Sequence, residues 1–225
     1  MRKLPLYLFL AASLVNIIGA FNENASLSNY SKPLLMPLLA LFFITQWQGE
    51  KDKIFIFSLA ALFLSWAGDV LLLLPDEMFF LFGLGAFLLA HISYMITYYQ
   101  AQTNMDVKQN KTFVTVRIII LAMVGGAILN VLWPHLDGMR MPVAVYTAVI
   151  ILMAVFAVLR KDRTSPASFS YIYGGALFFI ASDGMIAVTK FIEPFAHYRM
   201  FIMLTYLVAQ FLIIKGILAH RQVMQ

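Results

Sequence analysis

Cysteine is absent from this 225-residue chain, and charged residues make up only 12% of it. Without cysteine there is no disulfide framework, no thiolate zinc site and no cysteine nucleophile. A soluble domain of this length carries roughly a quarter charged residues. The shortage of charge, together with 62% hydrophobic residues and a mean hydropathy of +0.84, indicates a protein that lies in a lipid bilayer.

The charged and metal-ligating residues that are present argue against two further classes of protein. The net charge of +5 is spread over short polar segments, whereas a nucleic-acid-binding protein gathers its cations on one face. The four histidines stand at positions 91, 135, 197 and 220. No two of them are closely spaced, which argues against a membrane zinc hydrolase. We therefore expect no nucleic-acid partner and no metal site.

Eight apolar runs dominate the chain. A transmembrane helix needs about 20 apolar residues, because in hydrocarbon each backbone amide must be satisfied within its own segment. The predicted spans are residues 4–21, 33–47, 54–74, 78–99, 113–133, 141–159, 169–192 and 198–219. The sequence predicts an all-α protein, with residues 1–225 forming a single membrane domain of eight helices in one bundle. The second run is short and contains Pro33 and Pro37, so it could begin earlier, tilt or be a broken helix.

The distribution of positive charge predicts the direction of each span, because Lys and Arg accumulate in cytoplasmic loops. Eight spans place most cations on one side: Arg2, Lys3, Lys51, Lys53, Lys108, Lys111, Arg160, Lys161, Arg163 and Arg221. The other side carries Lys32, Arg140, Lys190 and Arg199. Both termini are therefore predicted to be cytoplasmic. The basic start is also typical of a signal peptide, but no clear cleavage site follows Phe21, which favours a retained first helix.

Two carboxyl groups lie deep in apolar runs. Of eleven acidic residues, only Asp69 and Asp183 are well inside predicted spans. An ionisable group at such a depth costs several kcal/mol unless it is paired or faces water, so each is a functional candidate. Each aspartate could instead simply hydrogen-bond a neighbouring helix. The matching depth of the two favours a shared functional site.

Other polar residues share this depth or this side of the membrane. At a rise of about 1.5 Å per residue, four polar residues of ascending spans fall in the outer half of the membrane: Asn16, Asp69, Asn130 and Asp183. Helical spacing puts two stripes on single faces of descending spans: Arg199, Met203, Tyr206 and Gln210, and His91, Tyr94 and Tyr98. Lys190 follows Asp183 on the same face, and Lys32 stands at the outer end of the second span. These positions predict a polar pocket that opens outward, with cations at its rim and carboxyl groups below.

Each of these residues also has a simpler explanation. The cations Lys32, Lys190 and Arg199 could only reach towards lipid headgroups. The tyrosines could pack in the interior or at the membrane interface, and His91 alone would be an interior hydrogen-bonded side chain. Their common depth is what favours a joint site.

A pair of buried carboxyl groups supplies an acid and a base. In a medium of low dielectric one can stay protonated while its partner is ionised. This combination suits the hydrolysis of a bond whose cleavage begins with protonation. Cations above the pair would hold a phosphate, so a lysophospholipid, with one apolar chain and a phosphorylated headgroup, is the kind of substrate that fits.

Five segments carry a family resemblance. They are KPLLMP at 32–37, SWAGDVLL at 65–72, GLGAFLLAHISY at 83–94, GALFFIASD at 175–183 and YLVAQ at 206–210. In this order they resemble the YhhN family, whose animal relatives are the TMEM86 lysoplasmalogenases, over most of the chain. Any one segment alone would be a weak signal.

The resemblance implies an integral protein of the bacterial plasma membrane that hydrolyses the vinyl-ether bond of lysoplasmalogens. The products would be a fatty aldehyde and a glycerophospho-ethanolamine or -choline, with no metal or other cofactor. One of Asp69 and Asp183 would be the acid and the other the stabilising base. The remaining residues divide into two groups: supporting residues His91, Tyr94, Tyr206 and Gln210, and phosphate-binding residues Lys32, Lys190 and Arg199. Another lysolipid remains an alternative substrate.

Two other functions are compatible with buried aspartates. In a proton-coupled transporter or lipid carrier, the aspartates would relay protons or bind a cation, but the sequence has no clear inverted repeat. In an intramembrane aspartyl protease, Gly68 and Asp69 would form part of the catalytic motif. Trp66 stands where that motif has glycine, which argues against a protease. The oligomeric state is left open by the sequence.

Overall fold

The computed structural model describes residues 2–103 and 108–223. Within them, eight α-helices are long and apolar enough to cross a membrane, which confirms the predicted helical membrane bundle. They are α1 (Leu4–Phe21), α2 (Ala25–Gln46), α3 (Lys53–Leu71), α4 (Glu77–Gln100), α5 (Lys111–Leu132), α6 (Arg140–Val158), α7 (Pro166–Phe191) and α8 (Tyr198–Val223). We call the end with the α1–α2, α3–α4, α5–α6 and α7–α8 connections the outer end; it is predicted to face away from the cytoplasm.

The second helix is longer than predicted. It begins at Ala25 rather than near residue 33 and runs through both Pro33 and Pro37. Pro37 has no N–H with which to bond the carbonyl of Pro33, four residues earlier. The indole Nε1 of Trp66 on α3 donates to that carbonyl at 3.0 Å. The proline-containing helix is therefore tolerated because a neighbouring helix satisfies the carbonyl that Pro37 leaves free.

The polar first turns of α2 pack against α1, which explains why hydropathy missed them. The side-chain nitrogen of the buried Asn16 donates to the Ser28 carbonyl at 2.9 Å and to Ser31 Oγ at 2.9 Å. A Cβ at Gly19 would lie 2.9 Å from the backbone nitrogen of Ser28. The absence of a side chain at Gly19 thus lets α1 and α2 approach closely enough for these hydrogen bonds.

All helices except α5 form a closed cycle of neighbours. In order they are α1, α2, α3, α4, α6, α7 and α8, and α8 packs against α1. Helix α5 lies outside this cycle, against α6, and touches α7 only slightly. The interior of the cycle is filled by large buried side chains, among them Leu35, Phe43, Leu62, Tyr94 and Phe179. The buried polar side chains Asp69, His91 and Gln210 also lie in this interior.

A buried arginine holds together the end of the bundle opposite the outer end. Arg160, just after α6, is 0% exposed. Its Nε and Nη2 both donate to the carbonyl of Ala101, at 3.1 and 3.0 Å, and Nη2 donates to Ser168 Oγ at 2.8 Å. Burial lowers the pKa of Arg160 to about 10, so the guanidinium remains charged at neutral pH. It joins the ends of α4, α6 and α7.

Arg160→Lys should lower the thermal stability of the purified protein. Lysine keeps the charge but cannot present two nitrogens to the Ala101 carbonyl, so we expect a loss of about 1–3 kcal/mol of unfolding free energy. Thermal unfolding in detergent measures the change. The exposed Arg140 supplies a matched control, Arg140→Lys, and equal melting of both variants would contradict the structural role of Arg160.

The predicted orientation can be tested with single cysteines, since the natural chain has none. Lys51 lies between α2 and α3, and Glu193 lies between α7 and α8; both are exposed. In intact cells, a membrane-impermeant maleimide should label Glu193→Cys, whereas Lys51→Cys should react only after permeabilisation. The reverse pattern would place the outer end in the cytoplasm.

Candidate active site

Asp69, on α3, lies in a cluster with one residue from α2 and one from α8. Its Oδ1 is 3.4 Å from Lys32 Nζ, and its Oδ2 accepts a 2.7 Å hydrogen bond from the Tyr206 hydroxyl. Asp69 is only 2% exposed. The ion pair and the hydrogen bond together offset the free-energy cost of burying a carboxylate. Lys32 is therefore the counter-ion of Asp69 as well as a candidate phosphate ligand.

A second hydrogen-bond network lies one helical turn further along α8. Gln210 Oε1 accepts a 2.5 Å hydrogen bond from the Tyr94 hydroxyl, and Gln210 Nε2 donates to Ser65 Oγ at 2.9 Å. All three side chains are completely buried. The network joins α3, α4 and α8, so Tyr94 and Gln210 hold in place the helices that carry Asp69 and Tyr206.

Asp183, on α7, has a different set of partners. Its Oδ2 accepts a hydrogen bond from the Tyr146 hydroxyl on α6 and lies 3.7 Å from His91 Nε2. His91 Nδ1 lies 2.5 Å from the Phe87 carbonyl. Since a carbonyl can only accept, Nδ1 must carry a hydrogen.

The remaining nitrogen of His91 faces the Asp183 carboxyl. Nε2 is buried and has no hydrogen-bond partner among the described residues. With Nδ1 protonated, Nε2 of a neutral ring is an acceptor, and an ionised carboxylate is also an acceptor. At 3.7 Å the two groups are neighbours without a direct hydrogen bond. A proton on either group would favour their closer approach, so His91 is a candidate proton partner of Asp183.

Two aromatic rings lie between the Asp69 cluster and the Asp183 cluster. The Phe179 ring centroid is 4.7 Å from that of His91 and 5.6 Å from that of Tyr206. The Phe87 ring packs 5.9 Å from that of Tyr206. A Cβ at Gly68 would lie 2.6 Å from the Phe87 ring, so the glycine beside Asp69 makes room for it. The two aspartates thus belong to neighbouring clusters, and each is hydrogen-bonded to its own tyrosine.

An apolar cavity opens beside Asp183. It has a volume of about 60 Å³, and its lining includes the polar residues Tyr146, Thr147 and Asp183. The other lining residues are apolar, among them Leu72, Phe80, Leu84, Phe87, Ile128 and Ile180. Asp183 therefore lines a small and mostly apolar space.

A polar cleft adjoins this cavity at the outer end. It is lined by three cations, Lys32, Lys190 and Arg199, and by polar groups that include Ser28, Asn29 and Thr189. Leu72, Phe80 and Ile186 line both the cavity and the cleft, so the two spaces are neighbours. The Lys190 ammonium lies 4.8 Å from the Phe80 ring centroid, near this shared wall. Three of the predicted cations thus line the cleft, and one of the two predicted carboxyl groups, Asp183, lines the adjoining cavity.

Two predicted site residues lie elsewhere. Asn16 donates hydrogen bonds to Ser28 and Ser31 of α2. Asn130 is exposed on α5, the helix outside the cycle. The most important residue that the sequence analysis missed is Tyr146. A tyrosine within an apolar helix gives no signal that separates a carboxylate partner from an ordinary packing residue, and its proximity to Asp183 depends on how α6 and α7 pack.

The fold and the site together define a polytopic α-helical membrane protein with buried carboxyl groups beside an apolar cavity and a cationic cleft. The sequence profile of the YhhN family matches residues 27–217. The chain belongs to the YhhN family, as its motifs predicted.

Several relatives are similar over most of the chain. A lysoplasmalogenase of Mycobacterium bovis is 31% identical over 166 residues, which are 72% of this chain and 60% of the relative. Human lysoplasmalogenase TMEM86A is 31% identical over 160 residues, 69% of this chain and 62% of the relative. The membrane protein YhhN of Escherichia coli O157:H7 is 29% identical over 170 residues, 75% of this chain and 73% of the relative. The chain thus spans about three fifths of the length of the mycobacterial relative. No solved structure matches it.

Lys32→Met should destabilise the protein because it leaves Asp69 buried without its counter-ion. We expect a loss of about 1–3 kcal/mol of unfolding free energy, measured by thermal unfolding in detergent. The double variant Lys32→Met/Asp69→Asn removes both charges and should recover most of this loss. Equal stability of the single and double variants would contradict the proposed coupling of the two residues.

Proposed function

We propose that this protein is a membrane-embedded hydrolase that cleaves the vinyl-ether bond of lysoplasmalogens in the bacterial plasma membrane. The products are a fatty aldehyde and a glycerophospho-ethanolamine or -choline. The observation that carries this proposal is that Asp183 lines an apolar cavity, and that this cavity shares a wall with a cleft containing three cations. The names of the mycobacterial and human relatives support the same activity.

The two adjoining spaces match the two parts of a lysoplasmalogen. Its phosphate lies in the cleft near Lys32, Lys190 and Arg199, where cations offset its charge. Its hydrocarbon chain enters the apolar cavity, which removes it from water. The vinyl-ether bond joins the chain to the glycerol, so it lies at the boundary between the spaces and within reach of Asp183.

Asp183 is the proton donor in this proposal. Lys32 compensates a negative charge on Asp69, whereas the neighbours of Asp183 are the Tyr146 hydroxyl and His91. We therefore assign the proton to Asp183, with His91 as the group that exchanges it. Protonation occurs at the vinyl carbon farther from the ether oxygen, and the electrons of the carbon–carbon double bond form the new C–H bond. The positive charge then spreads over the other carbon and the ether oxygen as an oxocarbenium ion, as in glycoside hydrolysis.

Water completes the reaction without any further reactant. It adds to the oxocarbenium carbon and returns a proton to the Asp183–His91 pair, which yields a hemiacetal. The bond from that carbon to the glycerol oxygen then breaks as the glycerol oxygen gains a proton and the hemiacetal hydroxyl loses one. Aldehyde and glycerol derivative leave, and the enzyme regains its starting protonation. Asp69 is the stabilising base: its negative charge favours the developing cation, and Tyr146 orients the Asp183 carboxyl.

The activity test follows aldehyde release by the purified protein in detergent. Asp183→Asn should lose at least about 100-fold in kcat, the usual contribution of a general acid, and Asp69→Asn should also be impaired. Tyr146→Phe should lose less than Asp183→Asn, because it removes only the hydrogen bond that orients the carboxyl. Since proton transfer to carbon limits the rate, turnover should be slower in D₂O than in H₂O.

Matched controls separate catalysis from folding. Asp137→Asn makes the same change at an exposed residue and should retain full activity. The ester and saturated-ether analogues of the substrate should release no aldehyde. Unimpaired turnover by Asp183→Asn would remove that residue from catalysis, loss of activity with a chelator would favour a metal mechanism, and absence of turnover on every lysolipid would favour transport.

A further inference from the structure

A second apolar space lies on the lipid-facing surface between α5 and α7. Residues of α5 from Arg117 to Leu132 line one wall, with the charged Arg117 at the end nearest the cytoplasmic side, and residues of α7 from Tyr173 to Val188 line the other. At about 1.5 Å per residue the groove extends roughly 20 Å along these helices. It exists because α5 packs on α6 and touches α7 only slightly.

The groove adjoins the cavity beside Asp183. Ile128, Ile180 and Gly184 line both spaces. A Cβ at Gly184 would have Ile128 Cδ1 as its only near neighbour, at 4.0 Å. The wall between groove and cavity is therefore thin at Gly184, the residue that follows Asp183.

Three spaces thus adjoin in sequence, and Asp183 faces the middle one. The cationic cleft shares Leu72, Phe80 and Ile186 with the cavity, and the cavity shares Ile128, Ile180 and Gly184 with the groove. From Ile180 the groove runs on to Tyr173, away from the outer end. A chain that starts at Asp183 and passes Gly184 therefore lies parallel to the surrounding lipid chains.

We propose that the α5–α7 groove binds the hydrocarbon chain of the lipid substrate and is the lateral exit through which the fatty aldehyde reaches the bilayer. This inference rests on the proposed function. The aldehyde has no headgroup that the cations of the cleft could hold, and its apolar chain partitions from water into hydrocarbon. Displacement of side chains at the thin wall beside Gly184 would join the cavity to the groove and so give the chain an apolar path from Asp183 to the lipid.

Cross-linking tests the groove independently of turnover. The probe is a lysophosphoethanolamine with a saturated hexadecyl ether chain that ends in a diazirine; the enzyme cannot cleave it. After photolysis in membranes, mass spectrometry should locate the label on groove residues such as Ile120, Val124 and Leu177, and an excess of unlabelled saturated-ether lysolipid should reduce it. A diazirine-bearing diacyl phospholipid should instead label exposed apolar residues throughout the bundle. If the lysolipid probe also labelled exposed apolar residues throughout the bundle, the proposal would be overturned.

Chain-length selectivity gives a second test. Gly184→Leu fills the passage and should lower the ratio of kcat/KM for hexadecenyl over octenyl lysoplasmalogen by about tenfold, comparable to the effect of a methylene in a hydrophobic pocket. Ala181→Leu narrows the groove without lining the cavity and should shift the ratio in the same direction. Gly126→Leu, on the open face of α5 with nothing within 4 Å, should leave it unchanged.

The outcomes separate this proposal from the proposed function. An equal loss on both chain lengths in Gly184→Leu, together with an unchanged ratio in Ala181→Leu, would mean that the groove does not hold the chain. Competed label in the groove without turnover by the wild type would support the lipid site and contradict the hydrolase. Turnover by the wild type together with label outside the groove would support the hydrolase and contradict the groove as the lipid site.

Discussion

The ion pair between Lys32 and Asp69 is the contact on which the arrangement of the site depends. A carboxylate can remain in the interior of this bundle because Lys32 and Tyr206 offset its charge. Lys32 lies in α2, whose path through two prolines is supported by a hydrogen bond from Trp66 of α3. Compensation of one charge therefore fixes α2, α3 and α8 relative to one another, and these helices form one wall of the cationic cleft.

Local patterns account for what the sequence could predict. Apolar runs identify eight helices because each membrane span must satisfy its own backbone, and helical periodicity brings His91, Tyr94, Tyr206 and Gln210 to inward faces. The early start of α2 escapes hydropathy because its first turns are polar, and two of their residues, Ser28 and Ser31, accept hydrogen bonds from Asn16 of another helix. The distribution of charge across the loops likewise does not reveal that Arg160 is buried.

The sequence also does not predict that the site divides into two clusters, because this division depends on how the helices pack. Whether two aspartates at equal depth touch depends on which helices are neighbours and which side chains lie between them. Here Phe87 and Phe179 fill that space, and α6, adjacent to both α4 and α7, brings Tyr146 to Asp183. No spacing of residues in the sequence predicts that a tyrosine on an apolar helix will contact a carboxyl group on another helix.

The adjoining cleft and cavity have a consequence for the direction of the proposed reaction. A lipid bound across the boundary between cleft and cavity is cleaved at the interface of water and hydrocarbon. Each fragment is therefore released into the phase in which it is more soluble. The polar fragment leaves through the cationic cleft, while the aldehyde partitions among lipid chains. The two products then rarely meet again at Asp183, and their separation between two phases opposes both the reverse reaction and inhibition by product.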